Sequence, residues 1–285
     1  MARGERADGA MDLFEIEREK CSICGLCVAD CPGSVIAMGG AMGFPSLAQG
    51  GEGRCIGCGH CVAVCPTGAF RHRLMSPEQC TEIDKLLLPS ARAVELLLKT
   101  RRSIRGYKDE LLGRESLDKL MDVVRYAPSG HNLQPVSWIV VSGRGKLKVL
   151  GDFVVEWMRS VMKENPATGG TMKLGMVSDA WSTGVDMIMH GAPHIVIAHA
   201  PKAYGPLGHE GCLIALSHLE LAAYSLNIGA CWAGYFEMAA INYLPLRQAL
   251  DMPEGNRPCG AMVLGRPKYD YTRIPLRKAS DVKWF

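Results

Sequence analysis

The sequence reads as an α+β protein in two parts, a small cysteine-rich part over residues 12–86 and a larger part over 87–285 whose sheet is flanked by helices. Eight of the twelve cysteines fall in one doubled run near the start of the chain. Near residue 86, glycine- and cysteine-rich chain gives way to leucine- and valine-rich chain. Beyond that point amphipathic or wholly apolar helical stretches alternate with short β-branched runs, the order expected of a sheet with helices packed on it. With 285 residues, 48% of them hydrophobic and 21% charged, the second part is long enough to bury a core of its own.

The first dozen residues, with Arg3, Glu5, Arg6 and Asp8 among small side chains, read as a flexible start over 1–11. They lack the apolar stretch of an export signal, although a twin-arginine signal is the route to exclude for a folded metalloprotein. The cysteine run follows: Cys21-x-x-Cys24-x-x-Cys27-x-x-x-Cys31-Pro32, then Cys55-x-x-Cys58-x-x-Cys61-x-x-x-Cys65-Pro66. Disulfides suit small secreted domains, and zinc sites usually mix in histidine without a doubled four-cysteine run ending in Cys-Pro. The spacing is that of two [4Fe–4S] clusters, in which the cysteine before proline ligates the other cluster. That rule groups Cys21, Cys24, Cys27 and Cys65 on one cluster, and Cys55, Cys58, Cys61 and Cys31 on the second. The stretch resembles the bacterial two-cluster ferredoxins, down to Cys31-Pro32-Gly33 and Cys65-Pro66-Thr67-Gly68-Ala69. Between the repeats, the glycines from Gly39 to Gly53 predict loop and short strand.

Ser76-Pro77-Glu78-Gln79 predicts a helix start, with serine as N-cap and proline in the first turn. Helical spacing is expected over Ala91–Thr100, over Leu111–Tyr126 with Leu117, Leu120, Met121 and Val124 on one face, and over Val149–Met162. Residues 212–226 are nearly all apolar and predict a buried helix. Strands are expected at Ser137–Val141, Ile195–Ala198 and Ala261–Gly265. The remaining cysteines, Cys80, Cys212, Cys231 and Cys259, form no metal spacing and read as small buried hydrophobes.

Three segments of the second part carry candidate chemistry. Arg101-Arg102-Ser103-Ile104-Arg105 gathers forked guanidinium donors and a hydroxyl, the groups that clamp phosphate, although a solvated basic turn has the same composition. Ala127-Pro128-Ser129-Gly130-His131-Asn132-Leu133-Gln134-Pro135 is a polar loop able to read the edge of a heterocycle. Gly229-Ala230-Cys231-Trp232-Ala233-Gly234-Tyr235 reads as a small-residue loop that lets backbone amides approach a flat ring. With Gly265-Arg266-Pro267 and the terminal Arg273-Ile274-Pro275-Leu276-Arg277, these segments resemble the nitroreductase family of FMN enzymes from about residue 95 to the C-terminus.

The resemblance implies an α+β homodimer with FMN in the dimer interface. It implies that Arg101, Arg102, Ser103 and Arg105 bind the FMN phosphate and the pyrimidine side of the ring. Pro128, Ser129, Gly130, Asn132 and Gln134 would reach the flavin from the neighbouring subunit. Backbone N–H groups at Ala233 and Gly234 would face the flavin N5, and Arg273 or Arg277, with Arg273 preferred, would meet the phosphate. Many relatives carry glutamate near the position of Ala233, which this chain lacks. His131 lies inside the polar loop and His190 precedes the Gly191-Ala192-Pro193 strand entry. Either could face substrate, but with eight histidines and no ligand spacing structural or exposed roles are the expectation, and no catalytic proton donor is singled out.

The two resemblances together imply an oxidoreductase in which electrons from a low-potential donor (ferredoxin, flavodoxin or NAD(P)H) pass through the clusters to FMN. From there they would reach a small electron-poor acceptor of nitroaromatic or quinone type. A relay to a partner protein, and a specialised reductive dehalogenation or dehydrogenation, remain alternatives. The formal net charge of +3 is spread through the chain, so no nucleic-acid partner is expected. No apolar run is long enough to span a bilayer, so no membrane partner is expected and the cytoplasm is the expected location.

Overall fold

In the computed structural model, residues 12–39 and 43–285 are described. The flexible start expected over 1–11, and part of the glycine-rich segment expected as loop, lie outside them. The chain divides into two compact units, the first ending at Leu88 and taking in His131–Leu133, the second formed by the rest.

The first unit is a repeat of strand, short helix, strand: β1 (Phe14–Ile16), α1 (Leu26–Ala29), β2 (Ile36–Gly39), then β3 (Phe44–Leu47), α2 (His60–Ala63), β4 (Phe70–His72). The outer strands pair with each other and so do the inner ones, β1 with β4 and β2 with β3, both antiparallel. Leu13, Val35, Ile36, Val62 and Phe70 form its small core beside the cysteines. Arg54 ties the halves together by donating from Nε to Gly33 O (2.9 Å) and from Nη2 to Ser34 O (2.7 Å). Within this unit Asn132 Nδ2 donates to Ile56 O (3.3 Å) and Gly57 O (3.1 Å). The helix start expected at Ser76 is a single 3-10 turn over Pro77–Gln79, closed by the Ser76/Gln79 capping box. Cys80 is exposed, against the expectation of burial, because it follows this surface turn.

The second unit runs α3 (Ala91–Thr100), α4 (Arg114–Val124), β5 (Ser137–Ser142), α5 (Arg144–Glu164), α6 (Pro166–Thr171), α7 (Leu174–Ser182), β6 (His194–Pro201), α8 (Gly205–Ser225), β7 (Gly229–Trp232), α9 (Gly234–Asn242), α10 (Leu244–Ala249) and β8 (Asn256–Gly265). The sheet order is β5-β6-β8-β7, antiparallel throughout. The pleat divides the central strands between two cores. Ile195, Ile197, Ala261 and Val263 face α5, α7 and α9, whereas Val196, Ala198, Met262 and Leu264 face α4 and α8. Both faces of β6 are therefore covered, which is why its sequence is a continuous apolar run rather than an alternation.

Helix α8 is longer at its N-terminal end than its apolar run indicated, and Cys212, Leu216, Leu219 and Ala223 form its buried stripe. The segment read as a small-residue loop after it is strand β7 for four residues, Gly229–Trp232, and then the start of α9. It pairs with β8, and Ser103 adds a parallel bridge to Ala230 on its other side. Gly229 has no alternative there, since a Cβ would stand 2.9 Å from three carbons of Ile104.

Helices α5 and α7 meet where the Trp181 ring lies on Gly151: a Cβ at Gly151 would sit 2.2 Å from the ring, and Trp181 Nε1 donates to Asp152 Oδ1 at 2.8 Å. Gly151→Ala would gain about 1 kcal/mol of helix propensity but force that ring out of its place. The expected net result is a loss of about 1–2 kcal/mol, read as a lower denaturant midpoint at unchanged slope.

Candidate functional site

The repeat sets up two cysteine cavities. Cys21, Cys24, Cys27 and Cys65 line one of them. Cys31, Cys55, Cys58 and Cys61 line the other, walled by Phe14, Ile36, Phe70 and His72. The grouping is the crossed one, with each Cys-Pro cysteine in the other run's cavity. Backbone conformation repeats with the sequence: Gly25 and Gly59 are left-handed, Ser34 matches Gly68, and Ile23 (φ 55°) matches Gly57 (φ 64°). A β-branched residue there is strained, and Ile23 keeps that geometry because the loop must carry Cys21 and Cys24 to one cavity.

The donor set fits a cubane better than a single ion. Among the described residues no three His, Cys, Asp or Glu groups converge on one metal position. Thiolates around one zinc would all lie about 2.3 Å from it, whereas those of a cluster stand at separate corners. Backbone amides are aimed at the sulfurs in matched pairs, Val35 N–H donating to Cys31 Sγ (3.3 Å) and Ala69 N–H to Cys65 Sγ (3.2 Å). Burial pushes the Cys61 thiol up to about 12 and raises Cys27 as well. Metal binding would have to displace those protons, which couples ligation to folding and pH.

His72, which the sequence reading did not single out, breaks the symmetry of the two cavities. It is buried at 4% exposure, and its Nδ1 accepts from Leu74 N–H at 3.1 Å. The ring hydrogen therefore sits on Nε2, which donates to Cys55 Sγ at 3.4 Å. Burial first, and then the Arg73 charge, push this imidazole below its usual range, so it is a neutral donor near pH 7. In the other cavity it is a different cysteine of the run that has a side-chain neighbour: the Thr67 hydroxyl lies 3.8 Å from Cys65 Sγ.

In the second unit the structure brings two candidate segments together. Ser103 bridges to Ala230, Ile104 N–H donates to Ala230 O at 2.9 Å, and the Ser103 hydroxyl lies against the Cys231 thiol. Arg102 sits over the Tyr271 ring, 5.3 Å from its centre, and Arg105 is exposed. Arg101 is anchored: Nη1 pairs with Glu220 Oε1 at 2.6 Å, with the two side chains 29% and 10% exposed. Glu220 was hidden from sequence reading inside the apolar α8, where its one signal is a lone acid on a buried stripe.

At the start of α9, Ala233 N–H is already donated to Ala261 O at 2.9 Å. Gly234 occupies the first helical position, where N–H groups have no intrahelical acceptor, and its surroundings are open. Gly234 is thus the better placed of the two expected backbone donors. His190 is left-handed (φ 57°), and burial lowers it more than Asp186 raises it, so it stays neutral beside the Arg105 charge.

The polar loop lies elsewhere on the chain. Gln134 N–H donates to Ser129 Oγ at 2.9 Å, Gly130 stands against Leu207, and Pro135 against Gly211, at the N-terminal end of α8. Pro128 is part of the same turn. Glu220, which holds Arg101, is thirteen residues further along that helix than Leu207, about 20 Å. Arg273 and Arg277 are exposed on the C-terminal stretch after β8.

Comparison with known proteins places this architecture. Residues 98–266 match the nitroreductase family, and residues 20–69 match a 4Fe-4S dicluster domain. The chain belongs to the nitroreductase family. A protein of Archaeoglobus fulgidus provisionally named an NADH dehydrogenase/NAD(P)H nitroreductase is 28% identical over 60% of this chain and 84% of its own length. One of the same name from Methanothermobacter thermautotrophicus is 27% identical over 64% and 85%. Among solved structures, a nitroreductase with bound FMN from Bacteroides fragilis shares the fold at a TM-score of 0.56 and 21% identity, covering 67% of this chain and 98% of its own. The protein is a nitroreductase-family oxidoreductase preceded by a dicluster domain, and no described helix is long and apolar enough to cross a membrane.

Two outcomes follow for variants of these sites. Arg101→Ala leaves the Glu220 carboxylate buried and unpaired, with an expected cost of about 3 kcal/mol. The double variant Arg101→Met/Glu220→Leu should regain most of that stability in chemical denaturation, and, on the phosphate role that the resemblance implies for Arg101, should lose FMN on gel filtration. His72→Leu removes one sulfur hydrogen bond and, with a cluster bound at Cys55, should lower its potential by roughly 50 mV, the one-electron equivalent of about 1 kcal/mol. Redox titration followed by electron paramagnetic resonance would then show a cluster in the other cavity unmoved.

Proposed function

We propose that this protein reduces a small electron-poor organic acceptor, of nitroaromatic or quinone type, at FMN, using electrons fed through two [4Fe–4S] clusters in its N-terminal unit. The observation that carries the reading is the sorting of eight cysteines into two crossed sets of four on the same chain as a nitroreductase domain. When bound, the clusters pass single electrons and the flavin combines them for a two-electron reduction.

The chain's own groups have definable tasks in this reading. Cys21, Cys24, Cys27 and Cys65 hold one cluster, and Cys31, Cys55, Cys58 and Cys61 hold the other. Glu220 fixes one edge of the Arg101 guanidinium, which leaves its remaining nitrogens for the flavin. Arg102, Ser103 and Arg105 lie beside β7, and Gly234 offers an N–H to the flavin ring. Arg273 or Arg277 would reach the phosphate from the C-terminal stretch.

A homodimer accounts for the split between the two flavin segments. Within one chain Gly130 and Arg101 meet α8 at Leu207 and Glu220, about 20 Å apart along the helix, so a loop entered at Gly130 is better placed to serve the neighbour's flavin. Helix α3 has no buried residue, and Leu96 and Leu98 expose more than half of their surface, as do Trp284 and Phe285 at the C-terminus. Such uncovered apolar surface suits a second copy. Thiolate clusters favour a reducing compartment, which supports a cytoplasmic location.

The two named relatives keep NAD(P)H open as an electron donor. Stopped-flow mixing of reduced ferredoxin with the holoprotein should bleach the flavin band, and a nitroaromatic should restore it. In Cys58→Ala, which should lose roughly half of the iron, flavin reduction by ferredoxin should slow at least tenfold while direct chemical reduction is unaffected. Full-rate reduction in that variant, or indifference of the reduced flavin to every small acceptor, would sink the proposal.

A further inference from the structure

The second unit holds a basic cavity that none of the roles above uses. It has a volume of about 330 Å³ and is lined by Lys202, His209, Arg247, Asn256 and Arg257. These come from the end of β6, the first turns of α8, the helix α10 and the start of β8. It is not the place where Arg101–Arg105 lie. Tyr107 bridges to Pro267 just past the far end of β8, whereas Asn256 and Arg257 open that strand, nine residues or about 30 Å away.

The charges are fixed but not neutralised. Arg257 Nη2 donates to Gly205 O at 2.8 Å, Arg247 Nη1 to Ile241 O at 2.6 Å and Ala240 O at 3.1 Å, and Lys202 Nζ to Glu254 O at 3.1 Å. Each anchor is a neutral carbonyl that uses one nitrogen, so the outer guanidinium edges keep their donors. Among the described residues none of the three cations forms an ion pair. Burial raises the carboxyl of Glu237, the acid facing His209, toward its neutral form. Behind the wall, a hydrogen bond from Cys212, with His209 and Arg257, pulls the Cys259 thiol down. Even a full thiolate there offsets only one of three permanent positive charges.

Asn256 is held as firmly as the cations. Its Nδ2 donates to Nδ1 of the buried His199 at 2.7 Å, beside the irregularity where β6 and β8 shift register at Ala198/His199. Three permanent cations held on one small concave surface repel each other unless something negative sits between them. We propose that this cavity binds a small polyvalent oxyanion, either a phosphate-bearing molecule or a polycarboxylate, through Lys202, Arg247 and Arg257. Guanidinium forks match both kinds of oxyanion, and the number of cations selects for more than one negative charge. The proposal stands apart from the Arg101–Arg105 and cluster assignments; His209 lies on the same turns of α8 as Leu207 and Gly211, where Gly130 and Pro135 pack, which is why flavin content is followed in the test.

Isothermal titration of the full-length holoprotein with inorganic pyrophosphate, and separately with citrate, tests it, with flavin content measured before and after. Saturable binding of one anion per chain is expected, tighter for one probe than the other, and weakened by added sodium chloride. Tighter pyrophosphate would assign a phosphate ligand, tighter citrate a polycarboxylate. Lys202→Gln, at an exposed position, should weaken the better probe about tenfold with an unchanged melting temperature in the absence of anion. Lys119→Gln, on the outer face of α4, should leave binding as it was. Absence of saturable binding at millimolar anion would overturn the proposal, and so would an equal loss from Lys119→Gln, which marks non-specific attraction.

Discussion

The exchange of Cys31 and Cys65 between the two cysteine cavities is the constraint on which the N-terminal unit depends. Neither repeat supplies four thiols to one place by itself, so neither half is complete until both have folded and paired through β1–β4 and β2–β3. The apolar core there is small, a handful of side chains around Phe70 and Val62. A unit of this size gains much of its stability from ligation when it holds metal. That dependence explains the Ile23 backbone: strain at one residue is tolerated where moving it would carry two ligands out of position.

In the larger unit the corresponding constraint is α8. Its apolar stripe covers one face of β6 and β8, its first turns pack against Gly130 and Pro135, and its last turns hold Arg101 through Glu220. One helix therefore fixes the separation of two segments that the family resemblance assigns to flavin. That separation is the physical argument for the proposed homodimer, beside the family resemblance.

The sequence made legible whatever is written in local spacing. Cysteine intervals, the apolar run of β6 and the stripe of α4 each depend on neighbours a few residues apart, and those elements are present. What was missed depends on distant partners. Strand β7 is Gly-Ala-Cys-Trp with no β-branched residue, and it is a strand only through its pairing with β8 and the bridge to Ser103. His72 matters because Leu74 N–H occupies its other nitrogen. Composition alone predicts burial of Cys80, and its exposure follows from a surface turn that composition does not describe. The basic cavity draws on residues scattered from 202 to 257, so no window of sequence displays it.

The lone imidazole beside Cys55 has a consequence for direction. A module built by duplication begins with two equal seats, and between equal seats a charge wanders either way. His72 sets a neutral imidazole beside Cys55, whereas a threonine hydroxyl stands beside Cys65 in the other seat, so the two seats are unequal and a cluster held at the Cys55 seat would be the easier of the two to reduce. A duplicated fold would thereby acquire an upstream and a downstream end from a single side chain.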